Sequence, residues 1–179
     1  QNTVLTAQFI QDLFPMGWRC LTIMKFQHRP WQRPSITTIG NIWIFMQRLH
    51  IEVCCRIARL SPDLIIPVPV HKSRMKKRGF NQAEEFGKRL SHYLEIPMNS
   101  SLLIRSKKTV PQKDLGPALR LKNLEQAFSC RKLPYRMKKV LLIDDIYTTG
   151  STAEACSRAL KKAGAEQVFL LVIATSSNR

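Results

Sequence analysis

The chain has 179 residues, carries 29 Lys or Arg against 12 Asp or Glu for a formal charge of +17, and is 44% apolar. That length fits one compact domain with at most a small appendage, and the apolar fraction suffices for a core, which excludes a disordered polycation. No run approaches the roughly 18 apolar residues of a spanning helix, so helical membrane insertion is excluded as well.

Residues 1–40 resist assignment. Pro15, Pro30 and Pro34 interrupt any period, and Phe14, Trp18 and Phe26 are scattered between them. The chain starts at Gln1 without the basic, apolar and small-residue order of a leader, so the expectation is a trimmed chain whose true start lies upstream. From Asn41 to Leu60, the apolar positions Ile42, Phe45, Met46, Leu49, Val53, Ile57 and Leu60 recur every three or four residues, as on one face of a helix that Pro62 stops. Residues 1–62 therefore read as an irregular and helical N-terminal segment, a hood or the remnant of another module, ahead of a domain at 63–179.

That domain opens with Asp63–Val68 (DLIIPV), an apolar run suited to a buried parallel strand. His71–Phe80 (HKSRMKKRGF) holds five basic residues and no acid, and reads as a loop. Asn81 is placed to cap a helix with Ala83, Phe86, Leu90 and Leu94 on one face, ending before Pro97. A strand at Leu102–Arg105, a long polar loop at 106–120 and a short helical turn at Leu121–Phe128 follow. A second apolar strand, Val140–Ile143, precedes a helix from about Ser151 to Ala163, with Ala155, Ala159, Leu160 and Ala163 inward and Gly164 closing it. Val168–Ile173 is the last strand. Strand, helix and strand, twice over, describe an α/β fold: a parallel sheet flanked by helices, with ligands at the carboxyl ends of its strands.

The charge is unevenly placed. Residues 64–139 hold 18 basic and 5 acidic side chains, a surplus of 13, whereas 140–179 hold four of each. A surplus so concentrated points to nucleotide phosphates, pyrophosphate or a nucleic-acid backbone, with a merely solvated basic face as the plainer alternative. The cysteines Cys20, Cys54, Cys55, Cys130 and Cys156 are odd in number and form no CxxC pair, which argues against a disulfide framework or a zinc ribbon and for a reducing cytoplasm. Zinc is not expected. His28, His50, His71 and His92 lack ligand spacing, and Trp18, Trp31 and Trp43 read as core or interface residues before base-stacking ones.

The chemistry sits in VLLIDDIYTTGST, residues 140–152. A buried strand delivers the carboxylates of Asp144 and Asp145, a Thr-Thr-Gly turn allows close backbone approach, and Ser151 and Thr152 stand at a helix start. Exposed amides there, backed by the helix dipole, suit one phosphate. The carboxylates suit a sugar diol or a Mg²⁺ held through water. Two acids after an apolar strand also occur in receiver domains and metal-binding ATPase strands.

This stretch closely resembles the phosphoribosyl pyrophosphate (PRPP) signature of type I phosphoribosyltransferases. Residues 63–86, then Gln112, Leu115, Arg120, Asn123, Ala127 and Phe128, are similar to the ComF branch, whose members are associated with competence. The resemblance spans about 63–175 and implies a type I phosphoribosyltransferase-like sheet. By it, Asp144 and Asp145 would bind the ribose hydroxyls, and Thr148, Thr149, Gly150, Ser151 and Thr152 would wrap the 5′-phosphate. Pro69, Val70, His71 and Lys72 would meet pyrophosphate, with Arg78 among the basic residues offsetting its charge. Loop 106–120 would close over the site, with Lys113 as a leaving-group partner and Mg²⁺ as the cofactor. ComF-type chains commonly begin with a four-cysteine zinc module, which these cysteines do not supply.

Two functions remain open. One is a phosphoribosyltransferase that releases pyrophosphate from PRPP as a nucleophile attacks C1. The other is a non-catalytic module that keeps the pocket while the basic region 72–78 engages single-stranded DNA during uptake. The sequence leaves the acceptor and the oligomeric state open.

Overall fold

The computed structural model describes residues 8–10, 19–26, 54–105 and 127–176. Its strands are β1 (Gln8–Ile10), β2 (Arg19–Phe26), β3 (Leu64–Pro67), β4 (Leu103–Arg105), β5 (Phe128–Cys130), β6 (Lys139–Tyr147) and β7 (Gln167–Ser176). Its helices are α1 (residues 54–60), α2 (Lys72–Arg78), α3 (Gln82–Leu94) and α4 (Ser151–Lys162).

Five strands form one sheet in the order β1-β2-β7-β6-β3, parallel throughout except for the antiparallel β1; β4 and β5 make a separate antiparallel pair. Side chains alternate across a pleated strand, and the burial pattern follows that parity. Leu64, Ile66, Val140, Leu142, Val168, Leu170 and Val172 pack on one face with α4 and the β4-β5 pair. Ile65, Leu141, Ile143, Phe169, Leu171 and Ile173 pack on the other with α3 and Ile57 of α1. Burial on both faces is why β3, β6 and β7 read as unbroken apolar runs rather than alternating ones. Each fully buried Leu or Ile, such as Ile65, Ile66 and Leu171 at 0% exposure, contributes about 1.5–3 kcal/mol of apolar transfer.

Register is fixed at both ends of β3. Asp63 Oδ2 accepts from the amides of Lys138 (2.8 Å) and Lys139 (2.7 Å), pinning the start of β3 to that of β6. The amide of Val68 donates to Ile143 O at 2.8 Å, just past the paired Pro67 and Ile143. The outer edge of β3 is covered by the turn after α3, where Ile65 N donates to Pro97 O and Asn99 N to Ile65 O. No helix among the described residues is long and apolar enough to cross a membrane.

The expected elements β3, α3, β4, β6, α4 and β7 are present, and several boundaries or types differ. The basic stretch expected as a loop is helix α2. His71 Nδ1 accepts from Ser73 N at 3.2 Å to cap its start, Gly79 in the left-handed region ends it, and Lys, Arg and Met between them favour helix. Phe128, expected in a helical turn, lies in β5, paired with Arg105; residues 121–126 lie outside the described residues. Strand β6 runs on past Ile143 to Tyr147, because β7 continues beside it, pairing Asp144 with Val172 and Ile146 with Ala174. Residues 19–26, unassigned from sequence, form β2 and pair with β7 from Phe169 to Ser176. The helix expected at 41–60 is present at 54–60, and 41–53 lie outside the described residues.

Candidate functional site

Because β6 extends through the acid pair in unbroken register, Asp144 and Asp145 leave the sheet on opposite faces. Asp144 shares the parity of Val140 and Leu142 and stands on the α4 side; Asp145 shares that of Leu141 and Ile143 and stands on the side of α2 and α3. The expected pair is therefore present at the carboxyl edge, but each acid has its own surroundings.

Asp144 is partly buried, and its Oδ1 accepts from the amide of Asp145 at 2.8 Å. Burial, reinforced by the neighbouring Asp145 charge, raises its pKa well above the usual carboxylate value, while the charge of Arg105 opposes the rise. Arg105 ends β4 and lays its guanidinium 5.2 Å from the centre of the Phe128 ring. Beneath, the thiol of Cys156 is fully buried, and its pKa is raised by that burial and by Asp144. Asp145 instead meets Arg78, the last residue of α2, with Nη1 3.8 Å from its Oδ2.

After β6, Thr148 and Thr149 are exposed, and Thr149 Oγ1 lies 3.0 Å from Ser151 Oγ. Gly150 follows at φ 78° and ψ −9°, a conformation that costs a residue with a Cβ about 1–2 kcal/mol. It is the N-cap of α4, and no side chain caps the amides that follow. The positive end of the dipole is thus turned toward the strand end where the acids stand. Glu154 in the first turn would oppose an anion there, but its Oε1 is held by Arg158 Nε at 3.0 Å. Uncapped amides, the four hydroxyls of Thr148, Thr149, Ser151 and Thr152 and a left-handed glycine are groups that can receive one phosphate, next to carboxylates that accept from hydroxyls.

Pro69, Val70 and His71 lie on the connection from β3 to α2, at the same carboxyl edge. His71 caps α2 and is 2.8 Å from Ser73 Oγ. Lys72 and Lys76 are exposed. Arg78 reaches the acid pair, and it does so at Asp145 rather than by way of the 69–72 connection. Lys113 and loop 106–120 lie outside the described residues. Sequence reasoning missed Arg105 and Gln82. Arg105 is marked only as a strand-end cation, and Gln82 as the first residue after a cap.

For a magnesium ion, the pair offers two carboxylates, and no cluster of three or more His, Cys, Asp or Glu side chains suited to a metal occurs among the described residues. Such a site fits Mg²⁺ only as that ion usually binds, with few protein oxygens and the rest from substrate and water.

Residues 76–179 match the phosphoribosyl transferase domain family. Competence protein F of Haemophilus influenzae (strain ATCC 51907 / DSM 11121 / KW20 / Rd) is 40% identical over 111 residues, which are 60% of this chain and 48% of that protein. The chain thus spans about half the length of that relative. The DNA utilization protein YhgH of Escherichia coli (strain K12) is 36% identical over 169 residues, 94% of this chain and 69% of its own length. Competence protein ComFC of Bacillus subtilis (strain 168) is 32% identical over 113 residues, covering 60% of this chain and 43% of its own.

Proposed function

This chain belongs to the phosphoribosyltransferase superfamily as a ComF-type member, and from that premise we propose that it binds PRPP at the end of β6 and serves the uptake and use of DNA. The observation that carries the reading is the ordered run of an acid pair, a Thr-Thr-Gly turn and the uncapped start of α4. The ribose 2′ and 3′ hydroxyls donate to Asp144 and Asp145. The 5′-phosphate accepts from the amides at 150–152 and from the hydroxyls of Thr148, Thr149, Ser151 and Thr152. Pyrophosphate faces the 69–72 connection, where Lys72 offsets part of its charge.

Asp144 and Asp145 would hold a Mg²⁺ through water, and the ion would supply charge neutralisation for the leaving group. In the transfer, the bond from ribose C1 to the pyrophosphate oxygen breaks as a nucleophile bonds to C1, and pyrophosphate leaves with its electron pair. The chain's own part is to hold the ribose by its hydroxyls and the two phosphate ends apart, so that C1 stands open to attack. The direct role in DNA uptake rests on the names of the relatives and on a basic helix with Lys72 and Lys76 exposed. The second reading follows from that helix: a non-catalytic module that keeps the pocket and binds single-stranded DNA through 72–78. A cytoplasmic site of action suits either.

Pyrophosphate release, measured with PRPP and Mg²⁺ in the presence and absence of nitrogenous bases, ammonia and single-stranded DNA, separates the two. Release that depends on one acceptor establishes the transferase. PRPP binding without release establishes the module, and neither binding nor release removes both readings.

A further inference from the structure

The joint between α2 and α3, residues 78–82 (RGFNQ), is built from polar groups that the phosphoribose signature does not use. Gly79 ends α2, its amide donating to Met75 O at 2.8 Å. Asn81, 6% exposed, caps α3 by accepting from Ala83 N at 3.2 Å and donates from Nδ2 to Val68 O at 3.0 Å. Val68 is in turn bonded to Ile143, the residue before the acid pair. Gln82, also 6% exposed, turns its Oε1 to Arg78 Nη1 at 3.1 Å. The same nitrogen lies 3.8 Å from Asp145 Oδ2, with the two side chains of that ion pair 35% and 29% exposed.

A long Arg side chain at an exposed helix end gains little from a lone carboxylate, because ordering it offsets the Coulomb attraction. Here a buried Gln acceptor fixes the guanidinium first, and Asn81 ties the Gln-bearing helix to the strand end beside Asp145. The chain of contacts runs from the sheet edge through the joint and back to the sheet edge.

We infer that Arg78, oriented by Gln82, is a positioning residue for Asp145: it fixes that carboxylate for the ribose diol and does not contact the pyrophosphate. This rests on the PRPP reading above, and it gives Arg78 a different partner from the leaving-group role expected from sequence. It also divides the basic helix. Lys72 and Lys76 are left to solvent and to phosphates, while Arg78 serves the acid pair.

The experiment measures, by calorimetry, the binding of PRPP, ribose 5-phosphate and inorganic pyrophosphate, each with Mg²⁺, to the full chain and to Arg78→Ala, Arg78→Lys and Gln82→Leu. Melting curves accompany each variant to establish that it is folded. Arg78→Ala weakens PRPP and ribose 5-phosphate by the same factor, about two- to fivefold, and leaves pyrophosphate binding unchanged. Gln82→Leu shifts the same two ligands in the same direction, adding it to Arg78→Ala costs nothing further, and Arg78→Lys recovers part of the loss. Should Arg78→Ala or Gln82→Leu fail to fold, Arg78→Lys alone still decides, since a lysine cannot keep the oriented fork and must weaken ribose 5-phosphate but not pyrophosphate. Loss of pyrophosphate binding with ribose 5-phosphate unaffected overturns the inference and returns Arg78 to the leaving group. Unchanged binding of all three ligands also overturns it, while the PRPP reading stands. Absence of PRPP binding by the unaltered chain overturns the PRPP reading itself, and this inference with it.

Discussion

Replacing Gly150 by Ala tests whether the turn after β6 is a phosphate receptor or only a connection. At φ 78° an L-residue is strained by about 1–2 kcal/mol, which in a chain of this size lowers the melting temperature by about 2–8 °C. Strain alone would not identify a binding site, so Gly164, which follows α4 at φ 109°, is the control: a Cβ there meets no atom within 4 Å, and Gly164→Ala carries backbone strain and nothing else. Both variants should melt lower, read by circular dichroism. Titration with PRPP and Mg²⁺ should then separate them. Gly164→Ala keeps the affinity of the unaltered chain, whereas Gly150→Ala loses about tenfold or more, because moving the start of α4 misplaces amides whose bonds to a charged oxygen contribute about 1.5–3 kcal/mol each. Equal PRPP affinity in the two variants, at equal loss of stability, would refute the role assigned to the turn.

Asp144→Asn keeps an oxygen to accept from the amide of Asp145 and removes a partly buried carboxyl group. Since the folded-state pKa of Asp144 is raised, its contribution to stability is full below the unfolded value and is lost as pH rises through the folded one. The variant should therefore melt near the unaltered chain at about pH 4 and increasingly above it toward neutrality; a difference that shrinks as pH rises would contradict the assignment. Asn81→Ala removes a helix cap and a buried bond to Val68 O together, and should cost about 1–3 kcal/mol in urea unfolding. The double variant Lys72→Ala/Lys76→Ala should leave PRPP affinity within a factor of a few. If single-stranded DNA runs along α2, the same variant should flatten the slope of log K against log salt by about 1.4, two phosphates' worth of counterions; an unchanged slope places the DNA elsewhere.

Which parts of the molecule were legible follows from where the apolar residues lie. Strands β3, β6 and β7 are buried on both faces, so LIIP, VLLI and VFLLVI announce themselves, and the alternate faces of α3 and α4 repeat at helical spacing. Helix α2 is exposed, with lysines and arginines in place of an apolar face, and its signals are a histidine cap and a terminal glycine, both weak in a sequence. Strand β2 depends on β7, nearly the whole chain away, and the prolines around it point to irregular structure instead. The acid pair was readable as chemistry because its strand, turn and helix are contiguous. Its division between the two faces was not, since that depends on β6 running past Ile143 alongside β7. The partners of the pair, Arg78 and Arg105, come from separate elements, and only the packing of α2 and of the β4-β5 pair on the sheet brings them to Asp145 and Asp144.

The most direct test of the account is a calorimetric titration of the full chain with PRPP and Mg²⁺, repeated with Asp144→Ala/Asp145→Ala after its fold is verified by circular dichroism. The account predicts saturable one-to-one binding by the unaltered chain and its loss in the double variant. Equal affinity in both, or no binding by the unaltered chain, would contradict it.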